Sequence, residues 1–456
     1  MKRACCTLRK SLAAVRTPPC SFAVPLDLFA SSAVRFQNPR AGLFLIWKHS
    51  LDMPWAIYYC IDTLCLAQYY RRAMENPKKL LFVTGSRGEW GYIRPLLRLC
   101  QNREKEVTYS ICATNMHLLP AHGMPLKEIE ADGFRIDDLI HMSLDGYDHF
   151  TMTKSLAIFF SSFMDTLLRV RPDWIVLAGD RGEQLMGAIA GAYTYTPVAH
   201  IQAGEKSGNI DGTARHALAK LAHVHFAAND DAAQRLIRSG EEPFRVHQVG
   251  APMLDELVEG KETPLQRLSV QYNMDLSKPY LLVVQHSVTE EYDQADAQIA
   301  ATMDALAQFA MTKIWILPNN DAGSSIIRSG ILARKRGDTY TFQNCKREDY
   351  LGLMKQAACI VGNSSSAVIE APVYKVPAVN IGRRQSARLQ GENVINCGFS
   401  VSEIVEAIRR AISPEFRATL DHCVSPYGDG RSSPRILDVL INTPKTDALL
   451  RKQITF

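Results

Sequence analysis

Residues 361–385 read VGNSSSAVIEAPVYKVPAVNIGRRQ. Ser364, Ser365 and Ser366 follow an apolar run and open a short helical stretch. Free N–H groups at a helix start favour an anion, as does the helix dipole, and serine hydroxyls add donors. Glu370 lies four residues beyond Ser366, one turn along the same face. A carboxylate there repels phosphate but can accept bonds from a ribose diol. Arg384 follows the next apolar run and can supply positive charge or a forked contact. Diphosphate, ribose and a base edge together describe a nucleoside-diphosphate ligand. The plainer alternative is a serine cap with a solvated glutamate.

Other polar clusters recur just after apolar runs. HSVTE (286–290) sets His286 past such a run, as a phosphate donor or proton-transfer group. LPNNDAGS (317–324) does the same for Asn319, Asn320 and Asp321. In GDRGEQLMGAIAGAY (179–193), Asp180 is either a helix cap or a carboxylate at the mouth of a cleft. HIQAGEKSGNIDGTARH (200–216) gathers Glu205, Lys206, Asp211, Arg215 and His216, with Gly204 and Gly208 spaced to bend around something. Asp211 could also cap the helix that follows. GSRGEWG (85–91) puts Arg87 and Glu89 at a helix start, either near a ligand or as a solvated ion pair. It is not GxGxxG, so a dinucleotide is not expected.

The elements that position these clusters alternate from Lys79 onward. Apolar runs of strand length end in Gly or polar residues, and helical periodicity follows. One series is 80–85, 108–114, 174–179, 198–204, 223–228 and 246–250. A second is 280–286, 313–318, 340–344, 359–363 and 378–382. Continuous apolar strands between helices mean parallel sheets covered on both faces. The fold class is therefore α/β, with two Rossmann-like domains facing a cleft. Their expected extents are 74–252 and 253–430, with 431–456 a C-terminal helix packing back on the first. Ligands of such sheets gather beyond the carboxyl ends of the strands, where every cluster above lies.

The 456 residues carry a formal charge of +5. Residues 1–73 hold ten Lys/Arg against three Asp, a net +7, which leaves −2 for the remainder. A near-neutral body argues against nucleic acid as a partner. Five of the eleven cysteines fall in the first 65 residues; the other six are scattered, with no CxxC. The body reads as reduced and cytoplasmic, without structural zinc or another metal. Residues 1–73 form an extension read three ways: a translation start set too far upstream, a targeting or anchoring segment, or structured sequence.

GSRGEWG, GDRGEQL, HIQAGEKSGNIDGTARHALAKLAH, NNDAGS, GNSSSAVIEAPVYKVPAVNIGRRQ and SPYGDGRSS, in that order, resemble the UDP-N-acetylglucosamine 2-epimerases. The nearest likeness is to the hydrolysing branch that feeds sialic-acid-type sugars, over roughly residues 78–440. The resemblance implies the two-lobed glycosyltransferase-B arrangement, a UDP-sugar substrate, no cofactor, and a homo-oligomer, dimer or tetramer. It implies that Arg87 and Asn319 approach the nucleotide and that Ser364, Ser365, His286 and Arg384 hold the diphosphate. It makes Glu370 the ribose acid and Asp180 and Asp211 catalytic. Arg215 joins the substrate-binding set. A third carboxylate of many members falls on Gln202, so either Glu205 carries out its proton transfer, or Asp211 does more of it, or the substrate or reaction differs. The implied reaction expels UDP as C2 loses its proton, then adds water at C1 to give the free 2-epimer. Alternatives are the same chemistry on a UDP-2,4-diacetamido-trideoxyhexose, a non-hydrolysing epimerase, a glycosyltransferase of the same architecture, or a UDP-sugar binder without activity.

Overall fold

The computed structural model describes residues 77–145 and 148–455. The readings of residues 1–73 fall on residues outside this range. Two parallel sheets organise the chain. The first has the order β3-β2-β1-β4-β5-β6-β7. Its strands are β1 Lys78–Thr84, β2 Val107–Thr114, β3 Asp138–Ile140, β4 Trp174–Ala178, β5 Val198–Ala203, β6 Val224–Ala227 and β7 Val246–Gln248. The second has the order β10-β9-β8-β11-β12-β13. Its strands are β8 Tyr280–Val284, β9 Thr312–Ile316, β10 Thr339–Phe342, β11 Cys359–Gly362, β12 Ala378–Ile381 and β13 Val394–Cys397. These are two Rossmann-like domains, the fold class expected.

The sheets are buried on both faces, which explains the unbroken apolar runs. In β1, Leu80 and Phe82 enter one core while Leu81 and Val83 enter the core opposite. In β8, Leu281 and Val283 face one core and Leu282 and Val284 another. Two strands were not foreseen, β3 and β13. Both lie at sheet edges and are paired on one side only.

In each sheet the connections reverse direction once, between β1 and β4 and between β8 and β11. Those reversals open crevices at the carboxyl ends of these strands. The chain passes between the lobes twice. Gly250 (φ 91°) and Gly428 (φ 107°) lie so close that a Cβ on Gly428 would come within 2.9 Å of the Gly250 Cα. The Ala251 N–H donates to the Tyr427 carbonyl there (2.8 Å). Asp255 accepts from the N–H groups of Ser432 and Ser433, capping the helix Ser432–Asn442 from a distance. That helix supplies Ile436, Leu437 and Leu440 to the core of the first sheet, and Trp174 donates its indole N–H to the Leu440 carbonyl (3.1 Å). Among the described residues no helix is long and apolar enough to cross a membrane.

Candidate active site

One cavity between the lobes is lined from both switch points. Asp180 and Arg87 reach it from the loops after β4 and β1; His286, Ser364 and Ser365 reach it from those after β8 and β11. Asp211, Asn319, Glu370 and Arg384 line it as well. Nine of the eleven candidates therefore meet in one place. Glu205 and Arg215 stand behind its wall.

Arg215 is almost fully buried and pairs with the Asp180 carboxylate, while its second nitrogen donates to Ser207 Oγ (3.0 Å). It thus acts on Asp180 rather than on the cavity. Glu205 is buried too, in an ion pair with Arg388 (3.2 Å). Neither acid near the following helices is a cap. Arg181 precedes the helix Gly182–Tyr193, and Asn209 precedes Ile210–Leu221.

The two cavity-facing aspartates differ in charge. Burial would raise Asp180, but Arg215, Arg388 and Arg384 outweigh it, with help from the Ser207 hydroxyl (3.1 Å), and hold it below the usual carboxylate range. Burial pushes Asp211 up to about 7, and the negative charges of Asp180 and Asp321 push the same way. Two carboxyls whose surroundings drive them apart are the pattern of a base facing an acid.

The second lobe presents donors. Asn319 N–H donates to His286 Nδ1 (3.2 Å), which leaves the proton of the neutral ring on Nε2. Burial pushes His286 down to about 3, and the charge of Arg384 adds to this. The ring is thus a neutral N–H donor. The helix at the serines is a single turn, Ser366–Ile369. Its macrodipole is accordingly small, and the anion-binding character comes from the local N–H groups and hydroxyls. Ser364 and Ser366 hydroxyls bond each other (2.9 Å). Glu370 pairs with Arg347, and burial raises its carboxyl.

Arg87 donates to the carbonyls of Leu317 (3.1 Å) and Gln343 (2.9 Å), both in the second lobe. It is a strut across the cleft. Glu89 is not solvated; it is buried and completes a capping box with Ser86. Arg181, Arg347, Tyr350 and Arg388 line the cavity without having been singled out. Arg181 and Arg388 stand inside or just past the quoted motifs, and Arg347 follows a strand, so the strand-end rule could have found all three. Gln202 sits at φ 61°, buried, with no hydrogen-bond partner for its side-chain amide among the described residues.

Two Rossmann-like lobes enclose a cavity with anion donors on one wall and acids on the other. A family model described as UDP-N-acetylglucosamine 2-epimerase matches residues 100–441, and the chain belongs to that family. It is 33% identical over 376 residues to a Legionella pneumophila protein named UDP-N,N'-diacetylbacillosamine 2-epimerase (hydrolyzing), covering 82% of this chain and 98% of that one. It is 32% identical over 370 residues to UDP-N-acetylglucosamine 2-epimerase of Neisseria meningitidis, covering 81% and 96%. In fold it resembles a crystal structure of UDP-GlcNAc 2-epimerase from Neisseria meningitidis bound to UDP-GlcNAc, with TM-score 0.69. That superposition spans 80% of this chain and all of the other, at 18% identity.

Proposed function

We propose that the protein is a hydrolysing UDP-N-acetylglucosamine 2-epimerase, acting in the cytoplasm as a homo-oligomer and releasing UDP and N-acetylmannosamine. The observation that carries this reading is the opposite bias of Asp180 and Asp211 in a cavity that also holds His286, Arg384 and the serines. Ionised Asp180 takes the C2 proton as the C1–O bond breaks. His286, Arg384, Ser364 and Ser365 stabilise the charge growing on departing UDP. Glu370 accepts from the ribose. The 2-acetamidoglucal left behind receives a proton at C2 from Asp211 on the other face. Water supplies hydroxide to C1, its remaining proton restores Asp211, and Asp180 gives up the C2 proton to departing UDP or solvent. Placed proton transfer of this kind contributes about 10²–10⁴-fold.

A second reading keeps the chemistry and changes the sugar to a UDP-2,4-diacetamido-trideoxyhexose. The name of the Legionella relative favours it. The test is to incubate the full chain with each UDP-sugar in deuterated water and follow the products by NMR. UDP plus free 2-epimer carrying deuterium at C2 is expected. An epimer still joined to UDP, or bound UDP with no turnover of either sugar, overturns the proposal.

A further inference from the structure

We infer that Arg388 is a positioning residue of the proposed reaction: carried by the second lobe, it is anchored across the cleft by Glu205 and brings its charge to Asp180, so that lobe closure completes the base. This rests on the functional reading above. It makes Glu205 the anchor of an arginine and leaves proton transfer to Asp180 and Asp211.

The geometry has three parts. First, the side chains of Glu205 and Arg388 are 3% and 6% exposed, and their charged atoms are 3.2 Å apart. Neither Glu205 oxygen has a hydrogen-bond donor among the described residues. A buried carboxylate in that position depends on its counter-charge. Second, Arg388 and Asp180 line the same cavity and Glu205 does not. A proton carrier must reach the sugar, and Glu205 does not line the cavity that would hold it.

Third, the two loops that bear this pair are locked together by backbone. Gly208 N–H donates to the Arg384 carbonyl (3.1 Å). A Cβ on Gly208 would lie 2.1 Å from the Arg383 carbonyl oxygen. Glycine at 208 thus permits the approach that puts Arg388 beside Glu205.

The groups that act on Asp180 come from several elements. Arg215 and Ser207 belong to its own lobe, as do Asp211, Tyr92 and His200. Arg388 and Arg384 come from the loop after β12, in the other lobe. Within its own lobe the principal counter-charge of Asp180 is Arg215, and the second lobe adds Arg388 and Arg384.

The test uses the full chain with 13C-carboxyl-labelled aspartate, the Asp180 signal being assigned by its loss in Asp180→Asn. In Arg388→Met the Asp180 titration is expected to move to higher pH, and Arg388→Lys is expected to bring it most of the way back. With a turned-over sugar, kcat of Arg388→Met falls by about 10- to 100-fold, as for groups that act through another, while KM changes far less. Glu205→Gln retains deuterium incorporation at C2. An unmoved Asp180 titration in an Arg388→Met protein that still binds UDP overturns the inference. So does loss of C2 exchange in a Glu205→Gln protein that still binds UDP. If Arg388→Met does not fold, the partial shift expected of Arg388→Lys carries the same decision. The titration reads Asp180 whichever sugar is turned over, so its failure is distinct from inactivity of the unmodified enzyme.

Discussion

At Asp180 and Asp211 one residue type is given two characters by its neighbours. Three arginines hold Asp180 charged, whereas burial and two carboxylates keep a proton on Asp211 up to about pH 7. The rate should therefore fall as pH rises through about 7, and Asp211→Asn should abolish that limb while lowering kcat about 10²–10⁴-fold. A pH–kcat series on the two proteins checks this. The same group has a stability consequence of definite sign. An unfolded aspartate titrates near ~4. Between that value and about 7 the folded protein binds more protons, so Asp211 costs stability as pH rises across the window, and the cost is complete above it. Asp211→Asn should raise the melting temperature at pH 8, by about 2 °C for each kcal/mol relieved, and leave it unchanged at pH 3.5. His286 behaves differently, being neutral across the range in which the enzyme would work. His286→Ala should weaken UDP binding by about tenfold, the worth of one good hydrogen bond, and by the same factor at pH 6 and pH 8 in calorimetry.

At the scale of elements, loops rather than strands carry the chemistry, and their spacing is unforgiving. A Cβ at 208 would strike the Arg383 carbonyl. Gly208→Val should push the loop after β5 from the loop after β12, lowering kcat at least about tenfold with little change in UDP affinity. In the proposed reading UDP is held mainly by the second lobe, so paired kinetics and calorimetry separate the two effects. The same elements explain what could be read in advance. Strands buried on both faces announce themselves as apolar runs, and their ends point to Asp180, His286 and Ser365 without any knowledge of the fold. Short edge strands are legible only in part: Val246–Gln248 and Thr339–Phe342 show in the sequence, Asp138–Ile140 and Val394–Cys397 do not. Nor does any local pattern tell that Arg215 serves Asp180 across 35 positions, or that Arg87 spans to carbonyls more than two hundred residues away. Those are facts of tertiary pairing, and the residue types alone allow a ligand contact equally well.

At the scale of the molecule, the lobes are joined by two kinds of charge contact. Near the hinge, Arg94 of the helix Arg87–Asn102 pairs with Asp132, Glu256 and Glu348. At the cleft, Arg181 pairs with Asp321 of the second lobe (2.9 Å) and with Glu183 of its own (3.2 Å). Arg94 is sealed from water, so Arg94→Met removes the shared partner of Asp132, Glu256 and Glu348, leaving Arg98 and Arg347 to serve the first two, and should lower the melting temperature. Arg181 sits where the lobes can part. With Arg181→Met, Asp321 and Glu183 lose their counter-charge, and admitting water by opening relieves them. The unliganded variant should therefore show a larger radius of gyration by small-angle X-ray scattering, and UDP should return it to the compact value. Closure then draws on binding energy: if only a tenth of the variant is closed at rest, apparent UDP affinity falls about tenfold. An Arg181→Met protein with unchanged dimensions and unchanged affinity would mean that the hinge network alone sets the closed form, and that the arginine pairs facing the cleft, Arg388 among them, follow closure rather than help to produce it.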